Sequence, residues 1–171
     1  MAADGNDLVR RLVEASELHG DFVLSSGKHS TVYFDKFRFL TRPDLLRELA
    51  HEVTGLLPQG TDHLAAPEGA ATLLVAAVSL ETGLPVAVVR KEPKAYGTRE
   101  QVEGHAPAGA QTVLLEDVST TGHQVLAAAE VLRAAGVDVT RIVLAIDRGG
   151  ADHLRQAGYD VAAVAVLRPT E

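Results

Sequence analysis

The 171-residue chain has no cysteine and no tryptophan, one methionine, and few aromatics, three Tyr and four Phe. Without a thiol there are no disulfides and no thiolate metal sites, and nothing in the composition points to an oxidising compartment. Long apolar runs are missing too. Residues 73–80 fall far short of the ~18–20 residues that a membrane-spanning helix needs. The N-terminal segment turns polar every few residues, where a signal peptide would show an apolar core. A cytoplasmic protein with no membrane partner is therefore expected. Positive charge is also scarce: 23 acidic residues outweigh 16 basic ones, for a net charge of −7. A nucleic-acid surface needs Lys and Arg to replace condensed counterions, so no nucleic acid is expected as a partner. Basic residues gather only locally, at Arg90, Lys91, Lys94 and Arg99. A local positive patch on an acidic chain suits a small polyanion.

What remains is 46% hydrophobic and 23% charged, the balance of a globular domain with one core of its own. Apolar residues at helical spacing predict a first helix over 7–18, and 22–39 reads as two strand-like pieces around Ser25-Ser26-Gly27-Lys28. Pro43 opens a helix that runs through 45–57. A short strand over 63–66 precedes a helix over 70–81, whose apolar character nearly all round predicts burial. Strands over 86–89, 113–116, 142–146 and 161–167 alternate with helices over 125–135 and 151–157. Residues 91–109 are polar, rich in Gly and Pro, and without periodicity. A loop of that length inside one domain is usually functional or disordered. The alternation predicts an α/β fold with a parallel sheet and right-handed crossovers. Ligands bind such sheets beyond the carboxyl ends of the strands. Four ends carry chemistry: Pro67-Glu68-Gly69, Arg90-Lys91, Glu116-Asp117 and Asp147-Arg148.

Residues 113–124, VLLEDVSTTGHQ, are the most telling. An apolar strand ends in two carboxylates, and small and hydroxylated residues then lead through Gly122 into a helix. Unpaired N–H groups and the positive end of the helix dipole make such a turn a phosphate site. The carboxylates add acceptors for a polyhydroxylated sugar or a cation, so the pattern suggests a sugar phosphate. No histidine pair has metal-ligand spacing, and no GxSxG motif appears.

This segment resembles the motif of the type I phosphoribosyltransferases that binds PRPP (5-phosphoribosyl-1-pyrophosphate): two acidic residues and a Thr-Thr-Gly loop. The resemblance implies that Glu116 and Asp117 hold the ribose hydroxyls. It gives the 5′-phosphate to Val118, Ser119, Thr120, Thr121, Gly122, His123 and Gln124, the last standing where the family usually has Ser or Thr. Three further segments are similar to orotate phosphoribosyltransferases in particular. VRKEPKAYGT resembles their mobile catalytic loop, which implies Lys94 as the catalytic lysine, acting with Asp117, and Arg90 and Lys91 as further pyrophosphate ligands. Tyr96 stands where many relatives have His. LSSGKHSTVYF resembles the segment beside the base, which implies orotate contacts from Ser26, Lys28, Tyr33 and Phe34, with Thr121. Ser25 replaces a common Lys. AIDRGGAD implies that Arg148 pairs with the orotate carboxylate. In AAPEGAATLL, Glu68-Gly69-Ala70-Ala71 departs from the usual glycine pair.

The resemblance thus implies the type I phosphoribosyltransferase fold, a parallel twisted sheet flanked by helices with a small N-terminal hood. It implies one domain over 1–171, with the hood over about 1–40 and the mobile loop over about 91–109. The implied activity makes orotidine 5′-monophosphate and pyrophosphate from PRPP and orotate. Mg²⁺ is the expected cofactor, carried mainly by PRPP, and a homodimer with shared active sites is the expected assembly. Two alternatives stay open: a transferase for another nucleobase, and a non-catalytic PRPP-sensing protein.

Overall fold

The computed structural model describes residues 5–23, 27, 29–93 and 100–167. Five parallel strands and one antiparallel edge strand form the main sheet, in the order β5-β4-β3-β6-β7-β8. These are β3 (His63–Pro67), β4 (Val86–Val89), β5 (Val102–Gly104), β6 (Gln111–Ser119), β7 (Asp138–Asp147) and β8 (Val161–Val166). The helices are α1 (Gly5–Ser16), α2 (Phe37–Leu40), α3 (Pro43–Thr54), α4 (Ala71–Thr82), α5 (His123–Ala134) and α6 (Gly150–Gln156). A separate antiparallel hairpin pairs β1 (Glu17–Val23) with β2 (His29–Phe34). The fold is α/β with helices on both faces of a mostly parallel sheet, as the alternating pattern implies.

Alternation along the central strands separates two apolar layers. Val113, Leu115, Val143 and Ala145 pack with α1, α3 and α4, while Leu114, Ile142 and Leu144 pack with α5 and α6. Helix boundaries follow local chemistry. Arg42 is extended ahead of Pro43, as a residue before proline prefers, and Pro43 then starts α3. Gly83 ends α4 in the left-handed conformation and donates its N–H to the Ser79 carbonyl.

Several expectations need correction. The first helix stops at Ser16, because Leu18 is drawn into β1 by pairing with Tyr33. The aromatic stretch does not stay extended to Phe39. Asp35 accepts the Phe37 N–H through its carboxylate, and residues 37–40 form a helical turn that buries Phe39 and Leu40. Residues 91–109 hold a short strand, β5, that pairs antiparallel with β4. Helix α4 is not buried all round: Leu74, Val75 and Val78 enter the core, but Leu80 is 89% exposed and Leu73 is 37% exposed. Strands β6 and β7 run longer than expected, so Asp117, Val118 and Ser119 lie on β6 itself. In the chain alone, no described helix is long and apolar enough to cross a membrane.

Candidate active site

The carboxyl end of β6 carries Glu116-Asp117-Val118-Ser119 into the turn Thr120-Thr121-Gly122 and then α5. Both carboxyl groups are buried, Glu116 at 3% exposure and Asp117 at 0%. The Glu116 carboxylate accepts the Asp117 N–H at 3.1 Å. Asp117 Oδ1 accepts the Val118 N–H at 2.5 Å and a hydrogen bond from Lys36 Nζ at 2.8 Å. Asp117 Oδ2 is buried with no partner. Burial first, and the Asp117 charge second, push the Glu116 carboxyl up to about 7, with Lys36 acting in the opposite sense. Two crowded acids and one ammonium leave acceptor capacity pointing inward, which hydroxyl donors can satisfy.

The turn after β6 is shaped by close backbone packing. Gly122 caps α5 at φ 79°, and a Cβ there would come within 2.8 Å of the Gly150 carbonyl oxygen. Gly150 is tighter still, since its Cβ would fall 2.0 Å from Ser119 Oγ. The Arg148 N–H donates to the Ser119 carbonyl at 2.8 Å. Asp147 Oδ1 accepts the N–H groups of Gly149 (2.8 Å) and Ala151 (3.1 Å), which holds the next loop in place. The end of β7 thus buttresses the turn after β6. The first N–H groups of a helix have no intrahelical partners, and the dipole places positive charge at the same spot. An oxyanion is the natural occupant.

These groups surround a cavity of about 400 Å³, lined by Glu116, Val118, Ser119, Thr120, Thr121, Gly122 and Gln124 on one side. Phe34, Lys36 and Arg148 close the other. The Arg148 guanidinium lies over the Phe34 ring, 5.0 Å from its centroid. Tyr33 is placed differently: it packs on Phe22, with ring centroids 5.6 Å apart, and does not line the cavity. Gln124 also borders a second cavity of about 320 Å³, with Arg90, Lys91, Gln101 and His123. There Glu68 accepts the Lys91 N–H at 2.9 Å and lies 3.8 Å from the Arg90 guanidinium. Gln101 donates to the carbonyls of Arg90 (2.9 Å) and Lys91 (3.0 Å), so the two ends of the long loop are tied together. Ser26, Lys28 and Lys94 lie outside the described residues, as do Ser25 and Tyr96.

The structure therefore brings Glu116, residues 118–122, Gln124, Phe34 and Arg148 around one cavity, leaves Asp117 buried next to Glu116, and sets Arg90, Lys91 and His123 around the adjoining one. The sequence motifs point to no role for Gly150, Gln101 or Lys36. The Glu68 carboxylate, in the segment that departs from the usual glycine pair, accepts the Lys91 backbone N–H and lies beside the Arg90 guanidinium. Only the position of Lys36, just after the aromatic pair, offered a signal; the other contacts join segments far apart in the chain.

The pattern of the phosphoribosyl transferase domain family matches residues 40–163. Orotate phosphoribosyltransferase of Thermococcus gammatolerans is 41% identical over 158 residues, covering 89% of this chain and 84% of that protein. Among solved structures, orotate phosphoribosyltransferase of Aeropyrum pernix superposes with a TM-score of 0.79 at 32% identity, over 95% of this chain and 93% of that one. Leishmania donovani UMP synthase matches 96% of this chain with a TM-score of 0.80 at 32% identity, but this chain spans only 37% of that longer protein. Fold, cavity and relatives agree on the class: this chain belongs to the phosphoribosyltransferases. Within that class it belongs with the orotate phosphoribosyltransferases.

Proposed function

We infer that the protein transfers the phosphoribosyl group of PRPP to orotate, giving orotidine 5′-monophosphate and pyrophosphate in pyrimidine biosynthesis. The observation that carries this reading is one cavity lined by Glu116 of the acidic doublet, by the glycine-locked turn and by the Arg148–Phe34 pair, with Asp117 buried next to Glu116. Glu116 and Asp117 accept hydrogen bonds from the ribose 2′- and 3′-hydroxyls. The 5′-phosphate sits on the amides and hydroxyls of 118–124. Phe34 offers a face to the pyrimidine, and the planar fork of Arg148 suits its carboxylate. Arg90 and Lys91 border the adjoining cavity and would bind the pyrophosphate, the role the resemblance also gives to Lys94.

In the reaction the bond from ribose C1 to the pyrophosphate oxygen breaks, a bond from C1 to orotate N1 forms, and the N1 proton is lost. Positive charge grows on the sugar and negative charge on the leaving group, so fixed cations beside the pyrophosphate stabilise the transition state. Mg²⁺ would neutralise pyrophosphate oxygens. Carried by PRPP, the ion would enter with the substrate.

A homodimer in the cytoplasm is the assembly and setting we propose. The exposed Leu73 and Leu80 of α4, one helical stripe apart by seven residues, support a subunit contact. Light scattering should give twice the 18.1 kDa chain mass, and Leu80→Glu should shift it toward the monomer.

The decisive test is pyrophosphate release from PRPP with orotate, beside a panel of other nucleobases. Turnover with orotate alone supports the reading. Inert orotate with an active rival base, or PRPP binding without any release, would overturn it.

A further inference from the structure

Lys36 belongs to neither the acidic motif nor the anion turn, yet its side chain reaches the doublet from another part of the chain. Its ammonium reaches Asp117 Oδ1 at 2.8 Å from the segment that links the hairpin to α2. That segment is anchored at its base, because the Asp35 N–H donates to the Ser16 carbonyl at 2.9 Å and the Asp35 carboxylate accepts the Phe37 N–H at 3.1 Å. Lys36 also lines the cavity beside Phe34. We propose that Lys36 is a positioning residue for the sugar, holding the Glu116–Asp117 doublet in the form that accepts hydrogen bonds from both ribose hydroxyls. The inference rests on the transferase reading and adds a specific requirement to it.

The physical argument concerns charge crowding. Two adjacent carboxyls at the buried end of a strand cannot both ionise without a counter-charge, since burial and mutual repulsion both favour a proton. A carboxyl that keeps its proton becomes a donor and loses part of its value as an acceptor for a hydroxyl. Groups facing the doublet from neighbouring elements do not supply the missing charge. At the end of β7, the Arg148 guanidinium lies over Phe34, and Asp147 is itself acidic and bonds to the Gly149 and Ala151 amides. Beyond β3, the Glu68 carboxylate is turned to Lys91 and Arg90. At the start of α5, the His123 ring packs against His153. That leaves the Lys36 ammonium, and it opposes the rise of the Glu116 carboxyl. Asp117 Oδ2 is buried without a hydrogen-bond partner, so the Lys36 ammonium on Oδ1 is the side-chain contact that steadies this carboxyl.

The test compares Lys36→Met, Lys36→Arg and wild type in kcat/KM for PRPP from pH 5.5 to 9, with orotate saturating. In Lys36→Met the acid limb should move up by about one pH unit, and KM for PRPP at pH 7 should rise roughly tenfold, recovering toward pH 9. Lys36→Arg, which keeps the charge, should retain the wild-type limb. A merely structural strut would lower thermal stability without moving the limb. An unmoved limb in Lys36→Met, or an equal shift in Lys36→Arg, overturns the proposal. If Lys36→Met does not fold, as judged by circular dichroism, Lys36→Gln and the pH dependence of PRPP binding by calorimetry decide in the same way. An inactive wild type would instead count against the transferase reading, so the two failures are distinguishable.

Discussion

The guanidinium of Arg148 stands over the ring of Phe34, 5.0 Å from its centroid, and so joins the end of β7 to the N-terminal hairpin. Their stacking fixes the direction of a long side chain that lines the cavity at the end of β6. Arg148→Lys should therefore raise KM for orotate by roughly 10–100-fold, because an ammonium can neither stack in plane nor bond a carboxylate bidentately. Phe34→Leu should raise it by a smaller factor, and KM for PRPP should change little in both. Steady-state kinetics with each substrate varied would show it. An unaltered KM for orotate in Arg148→Lys would remove Arg148 from the base site.

Gly150 is a second place where one atom decides the outcome. A methyl group there meets Ser119 Oγ at 2.0 Å and the Gly122 nitrogen at 2.8 Å, so the anion turn has to move. Gly150→Ala should cost about 1–3 kcal/mol in unfolding free energy and weaken PRPP at least tenfold. Gly69→Ala, where a Cβ meets nothing within 4 Å but φ is +112°, should cost stability through backbone strain alone. Denaturant unfolding and PRPP titration separate the two cases. If Gly150→Ala binds PRPP normally, the turn is not held by this contact.

The Glu116 carboxyl links stability to pH with a definite sign. Its value rises from 4.5 to about 7 on folding, so between those limits the folded chain holds a proton that the unfolded chain has lost. Stability from this group is full below pH 4.5, falls as pH rises through about 7, and stays lost above it. Glu116→Gln keeps the acceptor for the Asp117 N–H but cannot ionise. Relative to wild type it should raise Tm at pH 8 and have little effect at pH 4.5, while weakening PRPP binding. Differential scanning calorimetry at the two pH values measures the difference. A larger gain at pH 4.5 would mean that burial does not govern this carboxyl.

The pyrophosphate side of the proposed site supplies the last two predictions. Lys94→Ala should cut turnover by roughly 10²–10³ while PRPP still binds, because only the charge developing on pyrophosphate loses its partner. Normal turnover would take Lys94 out of the reaction. Glu68→Gln should strengthen product inhibition by pyrophosphate about three- to tenfold, since the Arg90 guanidinium loses a competing anion at 3.8 Å. Inhibition constants from initial rates decide it. Weaker inhibition would show instead that Glu68 organises the Arg90 and Lys91 donors.

Much of this was legible in one dimension. Strand, turn and helix around residues 113–124 follow from an apolar run, a glycine and helical spacing, and the acidic doublet with its Thr-Thr-Gly turn is contiguous in sequence. The ends of elements were less legible. Leu18 leaves the first helix because it pairs with Tyr33, and Ser119 stays on β6 because Asp147 lies opposite it on β7. The faces of α4 were not legible, since apolar residues all round do not reveal that the fold of this chain leaves Leu80 in solvent.

Local chemistry along the chain determined the α/β class, the order of the elements and the carboxylate–turn–helix unit, because propensity, periodicity and neighbouring residues act over a few positions. Tertiary packing decided what no neighbouring residues could. It set Lys36 against Asp117, Arg148 over Phe34, Gly150 under Ser119, and Glu68 between Arg90 and Lys91. In each case the partners come from separate elements, and their meeting depends on strand order and helix docking across the whole sheet.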